Sequence, residues 1–114
     1  MAIPSGSGTE VAKMKTLSTT GAYTLTPDAD HIIIILNIVV LNNHSSSTHF
    51  DLRVTENSGS NWQFLLEAQT LQTDESFVWN DRIVLNGNAQ RLMIDNNSTD
   101  SLHMTINYIE QDWS

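Results

Sequence analysis

The sequence predicts an all-β fold, an antiparallel β-sandwich of jelly-roll type with eight or nine short strands, and three observations predict it. β-Branched and aromatic residues gather in short runs, several of these runs alternate apolar with polar residues, and Asn, Asp, Gly and Ser punctuate them. Turn signals at intervals of about ten residues are the spacing of a sandwich or barrel. The strands are expected near residues 10–16, 21–26, 31–42, 48–55, 62–67, 76–79, 82–86, 90–95 and 101–110. Residues 1–9 are rich in Pro, Ser and Gly with little to bury, and read as a flexible N-terminal arm ahead of one sandwich domain over 10–114.

Each element has its own warrant. After the run at 10–16, Pro27-Asp28 opens a turn behind the second strand. The third, "HIIIILNIVVLNN" at 31–43, holds too many β-branched residues for a comfortable helix and is too short to cross a membrane. Read with period two, Ile32, Ile34, Leu36, Ile38 and Val40 share one face. Ile33, Ile35, Val39 and Leu41 share the other with Asn37. Two apolar faces require a cover on each side, from a second layer or another subunit.

"THFDLRVT" at 48–55 alternates, with Phe50, Leu52 and Val54 inward. "ENSGSN" at 56–61 is a hairpin loop leading to the strand at 62–67. "WQFLLEAQTLQTDE" also has Phe64, Leu65, Ala68 and Leu71 near helical spacing, but it lacks an N-cap pattern and lies between β runs, so a strand is preferred. Asn86-Gly87 offers a turn with positive φ, "DNNSTDS" at 95–101 is a polar loop, and the last strand aligns Leu102, Met104, Ile106 and Tyr108.

Composition narrows the function. A chain of 114 residues supports one domain with a modest core. No cysteine is present to make a disulfide, thiolate metal site or thiol nucleophile. Five Lys and Arg against thirteen Asp and Glu give a net charge of −8, which argues against nucleic acid and anionic membranes as partners. "MAIPSGSGTE" lacks the basic and apolar regions of a signal peptide, so synthesis in a host cytoplasm is expected, and the sequons at Asn43, Asn96 and Asn97 read as polar loops.

No constellation of catalytic roles emerges, and an enzyme is not expected. His31, His44, His49 and His103 read as structural or exposed, because a metal at His44 and His49 would need Asp51 brought beside them. Asp28, Asp30, Asp74, Glu75, Asp81, Glu110 and Asp112 fall in turns or at strand ends and read as solvated surface. "DADH" and "DNNSTD" lack the ligand order of a calcium loop. The expectation is therefore no catalytic residue, no cofactor and no metal. Phe64, Phe77 and Tyr108 are expected in the core. Trp79 in "FVWNDR" and Trp113 in "EQDWS" have polar neighbours and suit an interface, where tryptophan concentrates.

"MAIPSGSGTEV", "YTLTPDADHIIIILNIVVLNN", "LLEAQTLQTDESFVWNDRIVLNGNAQRLMI" and "INYIEQDW" together resemble the small β-sandwich virion proteins of tailed bacteriophages, particularly marine and cyanobacterial phages. The resemblance covers nearly the whole chain, as a pattern of turn-opened apolar strands more than a fingerprint. It departs from the pattern where "NGNAQRL" replaces a Gly-Asp turn. What it implies is a structural role, as a capsid decoration or cement protein on the outside of the virion. The partners would be the major capsid protein or other virion subunits, with homo-oligomerisation, a trimer included. Interface residues are then expected at Ile3, Pro4, Ser5 and Thr9, in loops 43–48 (Asn43, His44) and 56–61, and at Trp79 and Trp113. The alternatives are a tail or fibre-associated subunit and a carbohydrate-binding module. The latter would stack sugar on exposed Trp62 and Trp79 beside Asn80, Asp81 and Arg82.

Overall fold

The long apolar run at 31–41 sets the architecture, because a strand apolar on both faces fits best where neighbours hydrogen-bond to both of its edges. The computed structural model describes residues 9–96 and 102–113. Their strands, in chain order, are β1 (Thr9–Thr19), β2 (Gly21–Leu25), β3 (His31–Leu41), β4 (Thr48–Thr55), β5 (Gln63–Leu71), β6 (Ser76–Trp79), β7 (Ile83–Asn86), β8 (Arg91–Asn96) and β9 (Leu102–Asp112). The first sheet runs β1-β9-β3-β6, with β7 on the same edge of β3 as β6, and the second runs β2-β8-β4-β5. All pairs are antiparallel. With β6 and β7 counted as one interrupted strand, the result is two four-stranded sheets in jelly-roll order.

Between the sheets lie Ile33, Ile35, Ile38 and Val40 of β3, Leu102, Met104 and Ile106 of β9, Phe50 and Leu52 of β4, and Leu92 and Ile94 of β8. All of these are 2% exposed or less. Phe77 of β6 crosses from the first sheet to meet Phe50 edge-on, with ring centroids 5.8 Å apart. That geometry suits the aromatic quadrupoles.

The period-two assignment for β3 holds on each half of the strand and fails across its middle. Ile35 pairs with Tyr108, and the next pair is Asn37 with Asn107, so Leu36 is an extra residue with no partner on β9. A bulge of this kind consumes one residue without advancing the ladder. Ile33 and Ile35 consequently face the same way as Ile38 and Val40, not the opposite way, and Ile32, Ile34, Leu36, Val39 and Leu41 turn outward. Asn37 is outward too, and its Oδ1 accepts a 2.7 Å hydrogen bond from Asn107 Nδ2.

β5 is a strand throughout, and both β5 and β1 run longer than expected. Its register against β4 steps twice: Phe50 pairs with Gln69, Leu52 with Leu66 and Arg53 with Phe64. At the first step Ala68 takes a left-handed conformation, φ 52°, and its N–H donates to Asp51 Oδ1 at 2.7 Å. The second step turns Phe64 out of the core, contrary to expectation. It lies 46% exposed beneath the Arg53 guanidinium, 4.8 Å from ring centroid to Cζ.

Truncation separates the two readings of β3. Ile35→Ala and Ile38→Ala should each cost about 2–5 kcal/mol in urea unfolding, and Leu36→Ala under about 1 kcal/mol. Equal losses at Leu36 and Ile38 would restore the unbroken alternation.

Candidate functional site

A cluster of charged side chains sits at the end of the sandwich where β3 begins and β9 ends. Register places His31 opposite Asp112 and Ile33 opposite Glu110, so the three polar side chains share the inner face. His31 Nδ1 is 2.6 Å from Glu110 Oε2, and His31 Nε2 is 3.4 Å from Asp112 Oδ1. From β1, Lys13 Nζ donates to Glu110 Oε1 at 2.6 Å. The backbone closes the same corner: His31 N–H donates to Asp28 O at 3.1 Å, Trp113 N–H to Asp30 O at 2.8 Å and Gly87 N–H to His31 O at 2.9 Å.

The charges reinforce one another. The hydrogen bond from Lys13 chiefly holds the Glu110 carboxyl below its ordinary range, helped by His31 and opposed by burial. The bond to Glu110 raises His31 above its ordinary 6.5, and Asp112 adds to it. Lys13 is raised by the same carboxylate.

Asp28, His31 and Glu110 present ligand atoms within 4.8 Å of one another, a spacing that could hold a metal ion. The donor set fits one poorly. Both oxygens of Glu110 already serve cations, and a metal would have to displace the Lys13 ammonium and the proton on His31. The group is better described as an ionic clasp across β1, β3 and β9. Asp51, the third ligand that a metal at His44 and His49 would need, is committed elsewhere. It accepts from Arg53 at 2.9 Å and from Ala68, while Arg53 also bonds Asp95 at 3.1 Å.

A shallow groove of about 590 Å³ opens between the β4–β5 hairpin and the β7 edge. Val54, Ile83 and Leu85 give it an apolar floor, and Asn57, Asn61 and Gln63 with Glu56 a polar rim. Trp62 adjoins the hairpin loop, its Nε1 donating to Gly59 O at 2.9 Å.

The residues singled out from sequence do not converge. Ile3, Pro4 and Ser5 lie outside the described residues. Thr9 opens β1 opposite Asp112. Asn43 is exposed with Nδ2 3.4 Å from His103 Nε2, and His44 is half-buried, its N–H donating to Asn42 Oδ1 at 3.0 Å. Trp79 is half-buried against the core, paired with Ile38, so it forms no exposed platform with Asn80, Asp81 and Arg82. Trp113 is half-buried too, anchored through its backbone to the β2–β3 turn.

Asn42, at the end of the apolar run, has a structural role that the sequence reading does not assign. It is 0% exposed, and its Nδ2 lies within hydrogen-bonding reach of the carbonyls of Ser46, Leu71 and Gln72 at 2.9–3.3 Å. Its backbone N–H donates to Glu75 O and its carbonyl accepts from Asp74 N–H. One side chain thereby ties the 43–47 loop to the β5–β6 turn. A polar residue closing so apolar a run was the available signal.

No protein-family model matches the chain, and no curated protein matches it. Solved structures do. The chain is similar to the infectious bursal disease virus Gx strain structure at TM-score 0.51 and 9% identity, over 94% of this chain and 33% of that one. It is likewise similar to the VP2 subviral particle of infectious bursal disease virus, at TM-score 0.51 and 9% identity over 95% and 33%. The chain thus spans about a third of the length of these proteins, and at such identity the likeness is one of fold.

The clasp predicts a pH dependence with a defined sign. The lowered Glu110 stabilises the fold above the ordinary 4.5 of its carboxyl, and that share is lost as pH falls. The raised His31 stabilises below 6.5, and its share is lost as pH climbs through the raised value. In urea unfolding the deficit of Glu110→Gln should therefore peak between these limits. It should vanish in acid and shrink toward the Lys13 contribution in alkali, and a deficit independent of pH would contradict the clasp.

Proposed function

We propose that this chain is a structural protein of a tailed-bacteriophage virion, a decoration or cement subunit on the capsid exterior that binds across joints between capsid subunits. The observation that carries the reading is the jelly-roll order of the sheets over nearly the whole described chain, shared as a fold with the infectious bursal disease virus structures. The resemblance of its sequence pattern to small phage virion proteins supports the same reading. Such a role needs no catalysis, and a non-enzymatic protein is part of the proposal.

The physics suits the role. A decoration subunit stabilises a shell by adding buried area at joints, and many modest contacts act together. A stiff sandwich holds its loops in fixed positions. A net charge of −8 favours solubility and would complement basic patches on a shell. Among the described residues no helix is long and apolar enough to cross a membrane.

The second reading is a tail or fibre-associated subunit that meets host glycan. One observation favours it: the groove at the β4–β5 hairpin pairs carboxamides and a carboxylate with an apolar floor, the chemistry that binds sugar hydroxyls and ring faces.

Immunogold electron microscopy of the particles that carry the protein separates the readings. Gold spread over the head is the expected result. Gold confined to the tail would overturn the decoration role in favour of the tail reading, and no label on intact or opened particles would overturn both.

A further inference from the structure

We propose that the outer face of the first sheet is a docking surface for a second copy of this chain. Every described strand belongs to one of the two sheets, so no described element packs on this face. Its centre is two apolar rows on either side of the Asn37–Asn107 pair, whose carboxamides are hydrogen-bonded to each other. Ile109, Ile34 and Val84 lie in one row across β9, β3 and β7, and Val39 and Val78 form another across β3 and β6. The bulge pushes Leu36 outward between these rows, where it is 39% exposed. Val84 and Val78 are 53% and 52% exposed on one flank, and Met14 of β1 is 67% exposed on the other.

Charge selects the occupant. Among the outward positions of β1, β3, β6, β7 and β9, the only Asp, Glu, Lys or Arg is Glu10, at the margin. Interface centres are depleted of charge in this way, whereas ordinary solvated sheet faces alternate toward polar residues. A cationic partner would be drawn to the acidic surfaces elsewhere on the molecule. Two copies, each at −8, repel wherever acidic side chains meet, and this face is where they can approach without that cost.

Area agrees. Four strand widths of about 4.8 Å and a strand length of about 36 Å give a footprint on the order of 700 Å². That is close to the roughly 800 Å² each partner contributes to a specific complex of ordinary size. Face-to-face packing of two such sheets is the arrangement already used inside the domain.

The inference concerns copies of this chain alone and does not depend on the virion reading, so either can fail without the other. Light scattering after size-exclusion chromatography tests it. The wild-type chain should elute above the 12.7 kDa of one copy. The double variant Val78→Glu, Val84→Glu should weaken association at least tenfold and shift the mass to 12.7 kDa with an unchanged circular dichroism spectrum. Thr24→Glu, exposed on the second sheet, should leave the wild-type mass unchanged. Should the double variant misfold, Met14→Glu at the more exposed flank provides the same readout. A wild-type chain that stays monomeric up to about 1 mM overturns the proposal. So does a folded double variant, or a folded Met14→Glu, that keeps the wild-type mass, and so does dissociation by Thr24→Glu.

Discussion

The rest of the structure depends on how β3 pairs along both edges while carrying apolar side chains on both faces. It bonds β9 along one edge and β6 and β7 along the other, and its inner residues Ile33, Ile35, Ile38 and Val40 are all buried in the core. A strand of eleven residues with a strict two-residue repeat could not give Ile33, Ile35, Ile38 and Val40 one common face. The bulge at Leu36 removes that conflict by adding a residue that advances the chain but not the ladder. The same residue widens the outer apolar band. The bulge thus makes the core continuous and leaves a second apolar face, and this connects the fold to the assembly proposed for it.

Polar residues hold the ends of this arrangement. Where β3 begins, His31, Glu110, Asp112 and Lys13 join three strands through charge. Where it ends, buried Asn42 joins two connections through neutral hydrogen bonds. In the clasp each carboxylate oxygen of Glu110 faces a cationic partner, and Asn42 has its donors and acceptor matched within the fold. Their contacts position strands and loops.

The fold was legible because its signals were local. Turn residues and apolar runs marked all nine strands, and alternation placed Phe50, Leu52, Met104 and Ile106 correctly. Legibility failed at the bulges, for a common reason: each inserts one residue into a period of two. One insertion reversed half of β3. Two insertions within β5 spread its apolar residues toward helical spacing, made a helix conceivable there, and hid the outward turn of Phe64. The clasp was illegible for a different reason. His31 and Glu110 are 79 residues apart, and only the β3–β9 register makes them neighbours. Trp79 packs against the core although its sequence neighbours are polar, because successive residues on a strand point to opposite faces.

The measurement that tests the central claim most directly is a methyl nuclear Overhauser spectrum of the chain labelled at Ile, Leu and Val. The bulged strand predicts that Ile35 and Ile38 both show cross-peaks to core methyls of the second sheet, among them Leu52, Leu92 and Ile94, and that Leu36 shows none. Cross-peaks from Leu36 and Ile38 to that sheet, with none from Ile35, would mean an unbroken alternation and would contradict the account.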